Sequence, residues 1–218
     1  MKKITSLLVA LTLVFALFSC GGGSQLDEFI DIFENSEPTM ITTYVTEDNK
    51  DFTLNSSQTT IIYGEDFEIK YEGEKLQIPG PGMNEDEYKK PVSVNIFYHN
   101  GQFSVDGGET WTTAMPDTDT ELVKFDLGAA DIDEYEVDRT GKKLTAVLSA
   151  DQAAALLGVA VNANEDGVSL TIEHDGANLR KINVTYTTES ETTVTIVTSY
   201  TYDAVTSPFA PEEPEAQE

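Results

Sequence analysis

The sequence predicts a mainly β (α+β) chain, an antiparallel sheet wetted on one side with one or two short covering helices. Three observations predict it. From Met40 onward, apolar and aromatic residues recur with a period of two. Only two stretches show helical spacing, and each is short. The apolar sheet face implied by the strands is also far larger than those helices can cover.

The chain opens on Lys2 and Lys3, an apolar run from Ile4 to Phe18, and a small residue, Ser19. This is the layout of a secretory signal over residues 1–19. The run is shorter than the roughly 20 residues of a membrane-spanning helix. Leu17-Phe18-Ser19-Cys20 resembles the lipobox of bacterial lipoproteins. That resemblance implies cleavage before Cys20 and a diacylglyceryl group on its sulfur, with Phe18 bulkier than the residue usual there. Cys20 is the chain's only cysteine, so no intramolecular disulfide can form. Residues 20–24 then comprise the lipidated cysteine and a flexible glycine linker.

Residues 25–207 read as a single β-rich domain. Ser24 and Asp27 form an expected capping box. Leu26, Phe29, Ile30 and Phe33 follow as the apolar stripe of a short helix ending near Asn35. Strand signals come next at 40–45 and 59–63, in the alternation of Phe67, Ile69 and Tyr71, and in that of Val92, Val94, Ile96 and Tyr98. Asn100-Gly101 is a hairpin turn. Further strands are expected at 102–106, 109–113, 121–127, 134–138 and 143–148. Ser149 and Gln152 form a second capping box, opening a helix that Gly158 stops. Three strands close the domain, around Val168–Ile172, Ile182–Tyr186 and Val194–Tyr202. Residues 208–218 are an acidic Pro/Glu tail, expected to be disordered.

About ten strands at roughly 4.8 Å spacing and roughly 18 Å length present a face of about 860 Å². The two helices cover about 300 Å² of it. Either the sheet curls into a barrel or sandwich, or it leaves a cavity for an apolar ligand. The element order is helix, long meander, short helix and three strands. That order resembles the LolA/LppX-like lipoprotein-carrier superfamily. The resemblance implies a curved antiparallel sheet, half-barrel-like, with the helices as a lid over an apolar cavity.

Four motifs invite other readings. Ser104-Val105-Asp106-Gly107-Gly108-Glu109-Thr110-Trp111 matches the Asp-box pattern S-x-D-x-G-x-T-W. As a single copy it reads as a structural hairpin, with a carbohydrate-facing surface as the other reading. Asn162, Asn164, Asp166 and Glu173 have EF-hand spacing around Gly167, a weak calcium candidate. Asn162 stands where aspartate is usual and a strand follows where a helix belongs, so a glycine turn entering a strand is the expectation. His99 and His174 precede Asn-Gly and Asp-Gly turns and read as exposed turn residues; two histidines without a cysteine do not make a zinc site. Carboxylates such as Asp117, Asp119, Glu121, Asp131, Asp133 and Glu134 would give a glycosidase-like pair by chance among 39 acids, so they carry no weight.

The net charge of −26 argues against nucleic acid as a partner and against basic contact with lipid head groups. No nucleophile elbow or phosphate loop is present. The expected protein is not an enzyme and needs no cofactor. It is an extracytoplasmic lipoprotein, held to the bacterial membrane at the cell surface, with a lipid or other apolar small molecule as partner. The alternative is a structural or adhesive envelope module with a closed β core, and glycan binding or hydrolysis comes third.

Overall fold

The computed structural model describes residues 22–63, 66–76, 90–114 and 125–207. The signal segment, Cys20, the acidic 84–87 stretch, Asp117, Asp119, Glu121 and the 208–218 tail lie outside these residues. The elements are α1 (Gly22–Asn35), β1 (Met40–Asn49), β2 (Phe52–Tyr63), β3 (Asp66–Leu76), β4 (Pro91–His99) and β5 (Gln102–Ser104). A 3-10 turn (Gly128–Ala130) follows, then β6 (Tyr135–Val137), β7 (Lys143–Leu148), α2 (Ala150–Leu157), β8 (Ala163–His174), β9 (Leu179–Thr188) and β10 (Thr193–Thr201).

All ten strands join one antiparallel sheet in the order β5-β4-β3-β2-β1-β10-β9-β8-β7-β6. Two five-strand meanders thus meet at the centre, where Met40 to Asp48 of β1 pair with Thr201 to Thr193 of β10. The edge strands β5 and β6 are three residues each and do not pair with one another, so the sheet is curved but open. Short edges leave few unpaired amides to recruit another strand. A closed β core, the alternative expected from sequence, is not what the described residues form.

The core occupies one half of one face. Leu144 and Leu148 of β7, Val168, Leu170 and Ile172 of β8, Ile182 and Val184 of β9, and Val194 and Ile196 of β10 are buried there. Phe29 of α1, Leu156 and Leu157 of α2, and Leu127 beside the 3-10 turn pack against them. Each such side chain contributes roughly 1.5–3 kcal/mol by leaving water. Among the described residues, the helices sit over the C-terminal meander and leave β2–β5 largely uncovered.

The second predicted cap is present in full. Ser149 Oγ accepts from the Gln152 amide at 3.2 Å, and Gln152 Oε1 accepts from the Ser149 amide at 2.9 Å. Gly158 ends α2 at φ +68°. Gln152 also donates to the Asp131 carbonyl, tying α2 to the chain after the 3-10 turn. Ser149→Ala is expected to cost about 1 kcal/mol, a loss of about 2–4 °C in Tm by thermal melt.

Three expectations need correction. α1 begins at Gly22, so Ser24 lies inside the helix and is not its N-cap. Residues 109–113 form no strand; a single bridge joins Phe103 to Thr112, because the loop is closed instead by side-chain bonds to Asp106. Residues 125–127 of the expected 121–127 strand are irregular, and Leu127 turns inward to fill the core. Residues 121–124 lie outside the described residues.

The Gly167 turn is a bulge within β8, at a register shift between Ala163 and Val168. Its φ is +79°, and a Cβ there would stand 2.9 Å from the Leu148 carbonyl oxygen. Only glycine fits.

Candidate functional site

The strand register lays the uncovered face out in rows, because residues directly opposite share a face. One row runs Ile96, Tyr71, Gln58, Thr43, Thr198, Ile182, Ile172 and Leu144 from β4 to β7. Its ends are apolar, and Gln58, Thr43 and Thr198 between them are polar. The next row, Tyr98, Ile69, Thr60, Ile41 and Tyr200, is mostly apolar.

Two cavities lie on this face and meet at Thr43 and Gln58, which line both. The first, about 490 Å³, lies beneath α1 and is lined by Phe33, Ile41, Thr60, Ile62, Phe125 and Tyr200. The second, about 590 Å³, opens at the other end of the strands. Val45, Leu54 and Val194 line it, with Glu47, Lys75 and Asn162 adding polar groups. The groove therefore has an apolar limb, a polar limb and a polar waist. Tyr186 lines the polar limb, and its hydroxyl titrates above the usual tyrosine range because of burial and then the Glu47 charge.

At the waist, Thr43 and Thr198 share a buried hydrogen bond of 2.8 Å. Thr43→Val alone leaves the fully buried Thr198 hydroxyl without this partner and is expected to cost about 1–3 kcal/mol. The double replacement with valine should be nearly neutral, which a double-mutant cycle by urea unfolding would measure.

Beyond the groove the same face carries stacked rings. Phe67 lies 5.0 Å from Tyr98, which lies 4.9 Å from Phe103, and Phe67 is 45% exposed. Gly73 gives the floor its depth between these rings and the polar limb. A Cβ on it would meet Ser56 Cβ at 2.5 Å and the Tyr71 hydroxyl at 2.8 Å.

The Asp-box hairpin lies at the β5 edge. Asp106 accepts from the Ser104 and Thr110 hydroxyls and the Thr110 amide, so its carboxyl is held well below the usual carboxylate range, first by Ser104 and then by Thr110. The Trp111 indole donates to the Gly108 carbonyl at 3.1 Å. On this outer face, opposite the groove, Glu68 is 7% exposed and accepts from His99 Nδ1–H and the Ser207 hydroxyl. His99 Nε2 accepts from the Asn100 amide at 2.8 Å. The carboxylate thus stands between serine and histidine, whereas in a hydrolase the histidine stands between serine and acid.

Other sequence candidates are placed as follows. His174 is buried, not exposed as its turn position led us to expect. Its Nε2–H donates to the Gly141 carbonyl at 2.9 Å, its Nδ1 accepts from the Gly176 amide at 3.0 Å, and Phe29 packs edge-on at 4.6 Å. Asn164 and Asp166 hydrogen-bond each other across the β8 bulge, and Asn162 lines the polar limb. Glu173 lies seven residues beyond Asp166 along β8, past the Gly167 bulge and on the order of 20 Å away, and pairs with Lys143 at 3.4 Å. The four calcium candidates do not converge. Among the described residues no group of three or more His, Cys, Asp or Glu is placed to hold a metal, and no helix is long and apolar enough to cross a membrane.

Sequence reasoning missed the waist. Its signal was one break in a pattern: Val194, Ile196 and Tyr200 alternate inward, and Thr198 interrupts them. Glu68 gave no signal, because its burial comes from contacts distant in sequence.

No family model and no curated protein matches the chain. Among solved structures, the chain is similar to lipoprotein LppX of Mycobacterium tuberculosis, at 12% identity and a TM-score of 0.37, over 85% of this chain and 98% of that one. It is also similar to a LolA superfamily protein of Nitrosomonas europaea, at 9% identity and a TM-score of 0.31, over 84% of this chain and 94% of that one. Identities and scores of this size do not place the chain in either family.

Proposed function

We propose that this is an extracytoplasmic binding protein, anchored to the bacterial membrane through acylated Cys20, that holds a lipid or other apolar ligand in the groove. The observation that carries the reading is the two-limbed groove itself. Each limb is within the roughly 300–1,000 Å³ of small-molecule sites, and the limbs differ in polarity. That arrangement fits an amphiphile, with its hydrocarbon chain under α1, a carbonyl or hydroxyl near Thr43 and Gln58, and its head group among Glu47, Lys75 and Asn162. The ligand is carried, not transformed, and the protein binds neither nucleic acid nor a cofactor.

Native mass spectrometry of the purified protein, beside a solvent extraction, tests this. An added mass that extracts as lipid is the expected result. A bare polypeptide mass, with no uptake of added acyl probes, overturns it and moves the reading to a structural envelope module. Anchoring is tested separately: Cys20→Ala should release the protein from membranes, and a variant that stays bound sinks the anchor.

A further inference from the structure

We propose that the outer face of the sheet carries a second ligand site, for a neutral sugar ring, between the Asp-box hairpin and the β4–β5 turn. Three independent features meet there. A cavity of about 480 Å³ is lined by Trp111, Phe97, His99, Asn100, Gln102 and Lys70. The hairpin is locked by the bonds to Asp106, and its Trp111 ring is fixed by the Gly108 carbonyl. Gly108, at φ +96°, lies against the Phe97 ring, where a Cβ would stand 3.6 Å from the ring edge. The third feature is the Glu68–His99–Asn100 chain of hydrogen bonds.

That chain is the least expected of the three. Burying a carboxylate is costly unless it is fully bonded, and its cross-strand neighbour is the buried Ile61. An apolar side chain would pack there at no such cost. What the carboxylate achieves is order along a line: it fixes the His99 ring, and His99 fixes the Asn100 amide at the rim of the cavity. An amide has two donors and one acceptor and spends one donor on His99.

The chemistry of the wall selects the ligand. A sugar ring has an apolar C–H face and a rim of hydroxyls that both donate and accept. Trp111 supplies the flat apolar surface, and Asn100 and Gln102 supply paired donors and acceptors. A polyanion is disfavoured by the chain's net charge of −26. The site lies on the face opposite the groove, so it operates independently of the apolar ligand.

Trp111 is the only tryptophan in the chain, so its emission reports on this site alone. The full-length protein is titrated with chitotriose and with maltotriose. A saturable change in emission with at least one of them is expected, with a dissociation constant in the range of about 0.1–10 mM. Asn100→Gly keeps the turn, because Asn100 already sits at φ +50°. It should weaken sugar binding about threefold to tenfold and leave uptake of an acyl probe unchanged. Trp111→Phe, followed by calorimetry, should lose binding. No saturable change with either sugar overturns the proposal, and so does an affinity unaltered by Asn100→Gly.

Discussion

Thr60→Trp is expected to lower uptake of an acyl probe at least about tenfold, while the protein stays folded. Thr60 faces the apolar limb from β2, between Ile69 and Ile41. The limb is about 490 Å³, so an indole there displaces ligand instead of backbone. Tryptophan suits a half-buried strand position, and filling an empty apolar space usually raises stability. Fluorescence displacement of the probe measures the loss, and a thermal melt shows that the fold survives. If the folded variant takes up the probe as well as the native protein, the apolar limb is not where the chain binds. Gln58 lies one row away and lines both limbs. Gln58→Leu therefore serves as the companion variant. It should favour a plain alkane over an amphiphile, because it removes the polar waist without filling the limb.

Much of the buried face beside this groove was legible in the sequence. The alternation of Val168, Leu170 and Ile172, of Ile182 and Val184, and of Val194 and Ile196 places a buried face on three consecutive strands, and all these residues are buried together. Local chemistry also decided the α2 cap, where Ser149 and Gln152 are three residues apart and need nothing else. What was not legible depends on pairing across the sheet. Thr43 and Thr198 are separated by 155 residues and meet only because β1 is hydrogen-bonded to β10. In sequence each is a threonine among threonines, and β-branched polar residues suit either face. Glu68 lies on the face of β3 opposite Phe67 and Ile69. Its burial comes from His99 and Ser207, which no local pattern reveals. His174 failed for the same reason: its turn is local, but the Phe29 ring that covers it arrives from α1.

Phe29→Ala is expected to have the largest effect on stability, because α1 is docked by that ring. The helix has 14 residues, a length at which an isolated helix is marginal in water. It lacks an acidic residue in its first turn and a basic one in its last, so no charge complements its dipole. Its order therefore comes from packing. Phe29 is 2% exposed and sits edge-on to His174, while Leu26, Ile30 and Phe33 rest against the core only in part. Replacing a fully buried phenylalanine by alanine costs about 3–5 kcal/mol, or about 10 °C in Tm for a domain of this size. If α1 undocks before the sheet melts, the fall in Tm is smaller and the loss appears locally. Hydrogen exchange separates the two cases. Amides of α1 should exchange far faster in the variant, while those of β7 to β9 keep their protection. Because Phe33 of the same helix lines the apolar limb, a loosened α1 should also release bound probe. Unchanged α1 protection in Phe29→Ala would mean that another contact docks the helix, and that the lid over the groove is held from elsewhere.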